Sequence, residues 1–127
     1  MENDFRSLKA YQLAYAMAME IFKLTKSFPK EEKYSLVDQI RRSSRSVCAN
    51  IAEAYRKRRY CKHYISKLTD SDAECSETIV WLNFSKDCEY IEQKCFETIV
   101  NGYVEVGKLL NYMMANPYKF GVIVEKM

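Results

Sequence analysis

Residues 36–55 read LVDQIRRSSRSVCANIAEAY, and this stretch decides the fold. Its apolar and small residues recur at steps of three and four, and at 100° per residue they fall within an arc of about 120°. This periodicity predicts a long amphipathic helix over about residues 31–59. Ser35 followed by Asp38 resembles a helix-start signature, but Pro29 leaves an earlier start open. The predicted buried face consists of Leu36, Val37, Ile40, Ser44, Val47, Cys48, Ile51, Ala54 and Tyr55.

Three further segments show the same spacing, over about residues 6–27, 62–87 and 91–115. The first places Tyr11, Ala14 and Tyr15 on its apolar stripe. Proline ends two of these segments, because it restricts the conformation of the residue before it and cannot continue a helix. Phe28-Pro29 therefore ends the first segment, and Asn116-Pro117 ends the last.

Few turn-forming residues interrupt these segments, since the chain of 127 residues has three glycines and two prolines. Such a composition argues against a many-stranded sheet. Short connections force neighbouring helices to run antiparallel, so we predict an all-α, up-down-up-down four-helix bundle over residues 1–116. A C-terminal tail, residues 117–127, follows. Its run Gly121-Val122-Ile123-Val124 looks β-like but has no strand to pair with, so we expect it to pack on another subunit or to be mobile.

Residues for catalysis or metal binding are sparse. His63 is the single histidine, and the five cysteines lack the spacing of a zinc site or a C-x-x-C pair. The expectation is a protein that is not an enzyme, with no cofactor, no metal and no small-molecule substrate. An odd number of thiols fits a reducing compartment. No secretory signal or bilayer-length apolar run is visible, so we expect a cytoplasmic protein without a membrane association.

Charge is distributed unevenly along the chain, although its net value is only +3. Residues 41–62 carry a net +7, and residues 70–97 carry a net −6. In an antiparallel bundle the second and third helices lie side by side. We therefore expect Glu74 and Glu77 to pair with Arg41, Arg42 or Arg45, since guanidinium and carboxylate geometries match.

The run RKRRYCK at residues 56–62 has two interpretations. Cations at the C-terminal end of a helix complement its dipole, which is a purely structural role. Alternatively, the run binds phosphates, with neighbouring tyrosines available for stacking. The candidate nucleic-acid-binding residues are Arg41, Arg42, Arg45, Arg56, Lys57, Arg58, Arg59 and Lys62.

Aromatic residues exceed what one bundle core needs, at ten Tyr, six Phe and one Trp. Trp81, Phe84, Tyr90 and Ile91 fall partly off the predicted core stripe. Amphipathic rings beyond the core suggest a second buried face, and hence self-association.

Three segments give the chain a family resemblance: FPKEEKYSLV at residues 28–37, QIRRS at 39–43 and NIAEA at 50–54. They resemble the four helix bundle protein family, whose founding members are the 23S rRNA-intervening sequence proteins. The similarity covers roughly residues 4–115, and its most specific parts are the arginine pair and the Asn-Ile-Ala-Glu segment.

The resemblance implies a homopentameric ring of four-helix bundles without an established catalytic activity. A group that is similar in fold, the accessory variability determinants of diversity-generating retroelements, binds nucleic acid beside a reverse transcriptase. By that analogy a basic surface would bind structured RNA or DNA, ribosomal RNA included. The alternative is a protein-interaction adaptor whose arginines are structural at subunit interfaces.

Overall fold

The structure is a computed structural model that describes residues 4–124, and all the regular elements in that range are helices, with no strand. Four α-helices form the body: α1 (Lys9–Thr25), α2 (Leu36–Arg56), α3 (Cys61–Asp87) and α4 (Gln93–Ala115). Three short 3₁₀ turns flank them, at Phe5–Ser7, Lys30–Glu32 and Pro117–Phe120. The predicted all-α four-helix fold is confirmed.

Helix α2 begins at Leu36, later than the predicted start near residue 31. Pro29 instead opens the 3₁₀ turn Lys30–Glu32, and Ser35 takes the N-cap position of α2. The Ser35 hydroxyl donates to Glu32 Oε1 at 2.7 Å rather than capping the helix. The separate 3₁₀ turn explains why the helix does not extend back to the proline.

Contacts between the helices define their directions. Ser43 and Thr78 join α2 to α3, with 2.9 Å between their side-chain oxygens, and the Ser71 hydroxyl donates to Val47 O at 2.8 Å. The earlier residue of α2 thus contacts the later residue of α3, and the later residue of α2 contacts the earlier one of α3. The two helices therefore run antiparallel. Each helix also packs against the next in the chain, and α1 packs against α4. This closed arrangement is that of an up-down-up-down bundle.

The core follows the predicted stripe closely on α2. All predicted core positions of α2 are buried except Tyr55, which is half-buried. On α1 the prediction was wrong for Tyr15, whose side chain is 52% exposed. A smaller apolar cluster of Phe28, Leu36 and Val37 lies at one end of the bundle.

The tail folds back onto its own bundle instead of lying free. Gly121 has a left-handed φ of +78°, which turns the chain after the last 3₁₀ turn. Val122 is then buried in the main core, with 6% of its surface exposed, and Ile123 N–H donates to Arg58 O at 3.0 Å. No strand in the described range pairs with this run, but the expectation that it packs on another subunit or is mobile does not hold for residues 121–123, which pack on their own bundle. We call residues 117–123 the C-terminal strap; the remainder of the tail beyond Val124 lies outside the described residues.

None of the helices between residues 4 and 124 combines the length and apolar composition needed to cross a bilayer.

Candidate nucleic-acid interface

Arg41 connects α2 to the end of α1. Its Nε donates to Thr25 Oγ1 at 2.8 Å, and Nη2 donates to Phe22 O at 3.4 Å. The guanidinium also lies 4.8 Å from the centre of the Phe22 ring, within the range of a cation–π interaction. The charge complements the C-terminal end of α1, where carbonyl oxygens lack helical partners. Arg41 therefore helps to hold two helices together.

Arg42 forms the ion pair that the charge pattern predicts. Its guanidinium contacts the Glu77 carboxylate directly, and its Nη1 lies 3.6 Å from Glu74 Oε2. Glu77 Oε2 also accepts a hydrogen bond from Trp81 Nε1 at 3.2 Å. The predicted pairing of Glu74 and Glu77 with the arginines is confirmed for Arg42.

Arg45 is more accessible. It is exposed, it lies 5.9 Å from the Phe22 ring centre, and no carboxylate among residues 4–124 forms an ion pair with it. Together with Arg41, Arg42 and Lys33 it lines a groove of about 700 Å³ along the first half of α2. We call Arg41, Arg42 and Arg45 the helix cluster.

A second set of cations surrounds the connection from α2 to α3. We call it the turn cluster, and it comprises Arg56, Lys57, Arg59 and Lys62. Lys57 is half-buried and the other three are exposed. Within the described part of the chain, no carboxylate lies within ion-pair distance of any of them, whereas the neighbouring Lys67 pairs with Glu53. Between residues 4 and 124, therefore, no ion pair neutralises their positive charge.

Arg58 interrupts this run because it faces the protein. Its Nε donates to Tyr55 O at 2.8 Å, and its Nη1 donates to Phe120 O at 3.1 Å. The guanidinium stacks 3.6 Å from the centre of the Tyr55 ring. Arg58 thus joins the end of α2 to the C-terminal strap, while its neighbours Arg56 and Arg59 face solvent.

Seven of the eight candidate residues therefore form two clusters instead of one patch, and Arg58 belongs to neither. Arg45 and Arg56 are eleven residues apart on α2, which at 1.5 Å per residue separates them by about 16 Å along the helix. Eleven steps of 100° also leave them within about 20° of one face. The exposed residues Ala49 and Glu53 lie between them. An elongated polyanion could follow this face and contact both clusters.

An aromatic groove runs beside the same face of α2, between α1 and α2. It has a volume of about 430 Å³ and exposes mainly apolar atoms. The sequence pattern does not predict this groove, because Tyr11 and Tyr15 lie on the same helical stripe as true core positions. The exposure of Tyr15, Met19 and the small residue Ala49 is visible only once α1 and α2 are placed. Its lining residues are Phe5, Tyr11, Tyr15, Ala18, Met19, Phe22, Arg45, Cys48, Ala49 and Ala52.

The aromatic residues that suggested a second buried face are largely used within the chain. Trp81, Tyr90 and Ile91 pack against the small cluster of Phe28, Leu36 and Val37. Only Phe84 of that predicted group is exposed, at 53%.

Two of the five thiols, Cys48 and Cys75, offer little reactivity in the folded state. All five cysteines are free, and Cys48 and Cys75 are buried. Burial raises the pKa of Cys48 to about 11 and that of Cys75 to about 12, because the low-dielectric core disfavours the thiolate. His63, the single histidine, is exposed. Across residues 4–124 no three His, Cys, Asp or Glu side chains converge on a common point that could hold a metal ion.

Comparison with known proteins identifies the fold with a family. The family model for the 23S rRNA-intervening sequence protein matches residues 6–112, which is most of the chain. The chain belongs to the 23S rRNA-intervening sequence protein family. This membership confirms the resemblance that the arginine pair and the Asn-Ile-Ala-Glu segment indicated, and it covers α1, α2, α3 and nearly all of α4. No curated protein sequence matches the chain.

One solved structure supports the same assignment. It is a crystal structure of a protein of unknown function from the S23 ribosomal protein family of Bacteroides thetaiotaomicron VPI-5482. The two sequences are 32% identical, and the match covers 84% of this chain and 95% of that chain with a TM-score of 0.75. The family member and this chain therefore share a fold over nearly their whole common length.

Proposed function

We propose that this member of the 23S rRNA-intervening sequence protein family is a non-enzymatic, oligomeric protein of the cytoplasm that binds nucleic acid through its basic surface. The ligand is ribosomal RNA or another structured RNA or DNA. One observation carries the proposal: the turn cluster holds four cations that have no carboxylate partner within the described residues. Clustered, unneutralised Lys and Arg are the electrostatic footprint of phosphate binding.

Contacts within the chain support a narrower choice of binding residues. Arg42 is neutralised by two glutamates, and Arg58 is turned toward main-chain carbonyls. We assign phosphate contacts chiefly to Arg56, Lys57, Arg59 and Lys62, with Arg45 as an additional contact farther along α2. The run at residues 56–62 had two interpretations, stabilisation of the helix dipole and phosphate binding. Stabilisation of the helix dipole applies best to Arg56, which ends α2. It does not account for Arg59 and Lys62, which lie beyond that helix.

Oligomerisation is part of the proposal, and the family resemblance suggests a homopentamer. The aromatic groove supports it, because exposed apolar surface of this kind marks an interaction site. Repetition of the turn cluster around a ring would add avidity, so that weak contacts in each subunit sum to a useful affinity. Five free thiols in the chain agree with a reducing compartment.

A second candidate function is a protein-interaction adaptor with structural arginines. The contacts of Arg41 and Arg42 within the chain favour it, since both arginines bridge helices. In that case the helix cluster would stabilise the assembly, and the aromatic groove would bind protein.

The test measures binding of a fluorescent RNA hairpin and of the matching DNA by anisotropy over a range of salt concentrations. The variant replaces the turn cluster with alanine: Arg56→Ala, Lys57→Ala, Arg59→Ala and Lys62→Ala. Each lost phosphate contact lowers the salt slope by roughly 0.7 to 0.9, so four losses should lower it by about 3.

The matched control removes the same four charges elsewhere, through Lys9→Ala, Lys30→Ala, Lys94→Ala and Lys108→Ala, all at exposed positions. This control variant should keep most of the affinity for RNA and DNA. Absence of binding by the wild type at low salt, or an equal loss of affinity in the control, would exclude the proposal.

Light scattering tests the second candidate function, through the variants Arg41→Ala and Arg45→Ala. Loss of the oligomer in these variants would show that the two arginines serve assembly.

A further inference from the structure

The C-terminal strap and the turn cluster together form a cleft. It has a volume of about 400 Å³, and it is lined by Tyr55, Arg56, Arg58, Arg59, Gly121 and Ile123. The two sets of residues are far apart in sequence. Contacts of Arg58 with Phe120 O and with Ile123 N–H hold them together, at 3.1 and 3.0 Å.

The walls of this cleft have different chemistry. Arg56 and Arg59 are exposed, and no carboxylate among residues 4–124 pairs with either of them. Opposite them, Ile123 presents an apolar side chain that is 58% exposed. An anion alone would use only the arginines. A ligand that carries a phosphate next to an apolar or aromatic group would use both walls.

The strap keeps this geometry fixed. Val122 is buried in the core immediately before Ile123, and Gly121 supplies the left-handed turn that brings both residues into place. A Cβ at Gly121 would lie 2.8 Å from Arg58 Nη1, so the strap and Arg58 approach closely here. Ile123 is therefore held at the cleft by its neighbour and by its own main-chain hydrogen bond.

We propose that the cleft takes one unpaired nucleotide of a single-stranded nucleic acid. Its phosphate lies between Arg56 and Arg59, and its sugar and base lie against Ile123. The inference rests on the proposed function and adds the class of ligand. The cleft volume lies near the lower end of the range for small-ligand pockets, which suits a single nucleotide.

The preference for a single strand over a duplex follows from the groups that can enter the cleft. A duplex keeps its bases stacked inside, so it presents phosphates to the arginines but nothing that reaches Ile123. An unpaired nucleotide can be splayed out, and its base can pack on an apolar side chain or on a guanidinium plane. The turn cluster should therefore bind both forms through phosphates, and Ile123 should contribute only to the single-stranded form.

The test compares a single-stranded 12-nucleotide RNA or DNA with the duplex of the same sequence, by anisotropy at one fixed salt concentration. We expect Ile123→Ala to weaken single-strand binding by about 5-fold and to leave duplex binding unchanged, since a base contact is worth of order 1 kcal/mol or more. Val124→Ala is the matched control, because Val124 is exposed on the same segment but does not line the cleft.

A second variant tests the positioning role of Arg58. Arg58→Lys keeps the charge but lacks the planar fork that reaches the carbonyls of Tyr55 and Phe120. It should weaken single-strand binding more than duplex binding, with the net charge unchanged. Circular dichroism checks that each variant remains folded.

Each outcome has a distinct meaning. If the wild type binds neither form, the proposed function fails and the cleft with it. If it binds both forms and Ile123→Ala changes them equally or not at all, the proposed function stands and the single-nucleotide cleft is excluded. Selective loss of single-strand affinity in Ile123→Ala supports the cleft.

Discussion

Gly102 and Gly107 lie one and a half turns apart on α4, and their surroundings differ. A Cβ at Gly102 would lie 2.3 Å from Met17 Sδ on α1, so the two helices approach closely at this point. At Gly107 the nearest atom would be Asp72 Oδ1, at 3.4 Å. The helical pattern of α4 gives no reason for a glycine at position 102. The structure supplies the reason, which is space for Met17 where α1 and α4 meet.

The two glycines should respond differently to alanine. Gly107→Ala should raise the free energy of unfolding by about 0.5–1 kcal/mol, because alanine is the better helix former and space is available. Gly102→Ala should be less stable than Gly107→Ala by about 1 kcal/mol, because Met17 must move. Urea denaturation of both variants measures the difference, and an equal gain in both would show that Met17 yields without cost.

Arg58 shows why residue roles are harder to predict than helices. In the sequence it is one of four consecutive basic residues, with nothing to set it apart. Its orientation depends on Phe120 O, a main-chain atom 62 residues away, and on the Tyr55 ring. Local periodicity carries no information about such a contact. The Arg42 pairing could be predicted, because opposite charges on adjacent antiparallel helices need only the topology.

At the scale of elements, the seam between α2 and α3 is built from small polar residues. Ser43, Ser71 and Thr78 are fully buried, and each has a hydrogen-bond partner, so they allow close packing without an unsatisfied group.

The four helices could be predicted from the sequence because their apolar stripes are long and regular. The first residue of α2 could not be predicted, because the 3₁₀ turn after Pro29 depends on local contacts such as that between Ser35 and Glu32.

Thr78→Val should test this seam. It removes the oxygen that lies 2.9 Å from Ser43 Oγ and keeps the side-chain volume nearly constant. We expect the free energy of unfolding to fall by about 1–2 kcal/mol, because a buried polar group loses a partner. Thr98→Val is the matched control: Thr98 is exposed and bonds only the carbonyl of Lys94 in its own helix. A loss of the same size in the control would show that the buried contact is not responsible.

For the whole molecule, the buried thiols predict how stability depends on pH. Folding raises the pKa of Cys48 to about 11 and that of Cys75 to about 12, from an ordinary value of 9.0. Below about pH 8.5 both states are protonated and the full stability is present. Above pH 9 the unfolded chain releases these protons while the folded chain retains them, so stability falls as pH rises through 9 to 12.

The expected loss at pH 10, one unit above the unfolded pKa, is between about 1 and 2 kcal/mol per thiol. Chemical denaturation at pH 7.5 and pH 10 measures it. Between these two pH values the double variant Cys48→Ala and Cys75→Ala should lose about 3 kcal/mol less of its free energy of unfolding than the wild type. An identical pH dependence in both proteins would assign the alkaline loss to other groups, such as the buried tyrosines, whose pKa values are also raised by desolvation.

The fold of the whole chain was predictable because one kind of pattern repeats four times. Three features could not be predicted: the two separate basic clusters, the aromatic groove and the strap. They depend on which helix faces stay exposed after the helices pack. Tyr11 and Tyr15 illustrate this limit: both lie on the predicted stripe of α1, yet both line the groove between α1 and α2.

Trp81 is the single tryptophan of the chain, and its indole N–H donates to the same Glu77 oxygen that contacts Arg42. The molecule therefore carries a built-in optical probe at the junction of α2 and α3. Intrinsic fluorescence will change when these two helices separate, without any attached dye. Emission measured during unfolding or ligand titration thus reports on one identified contact between helices.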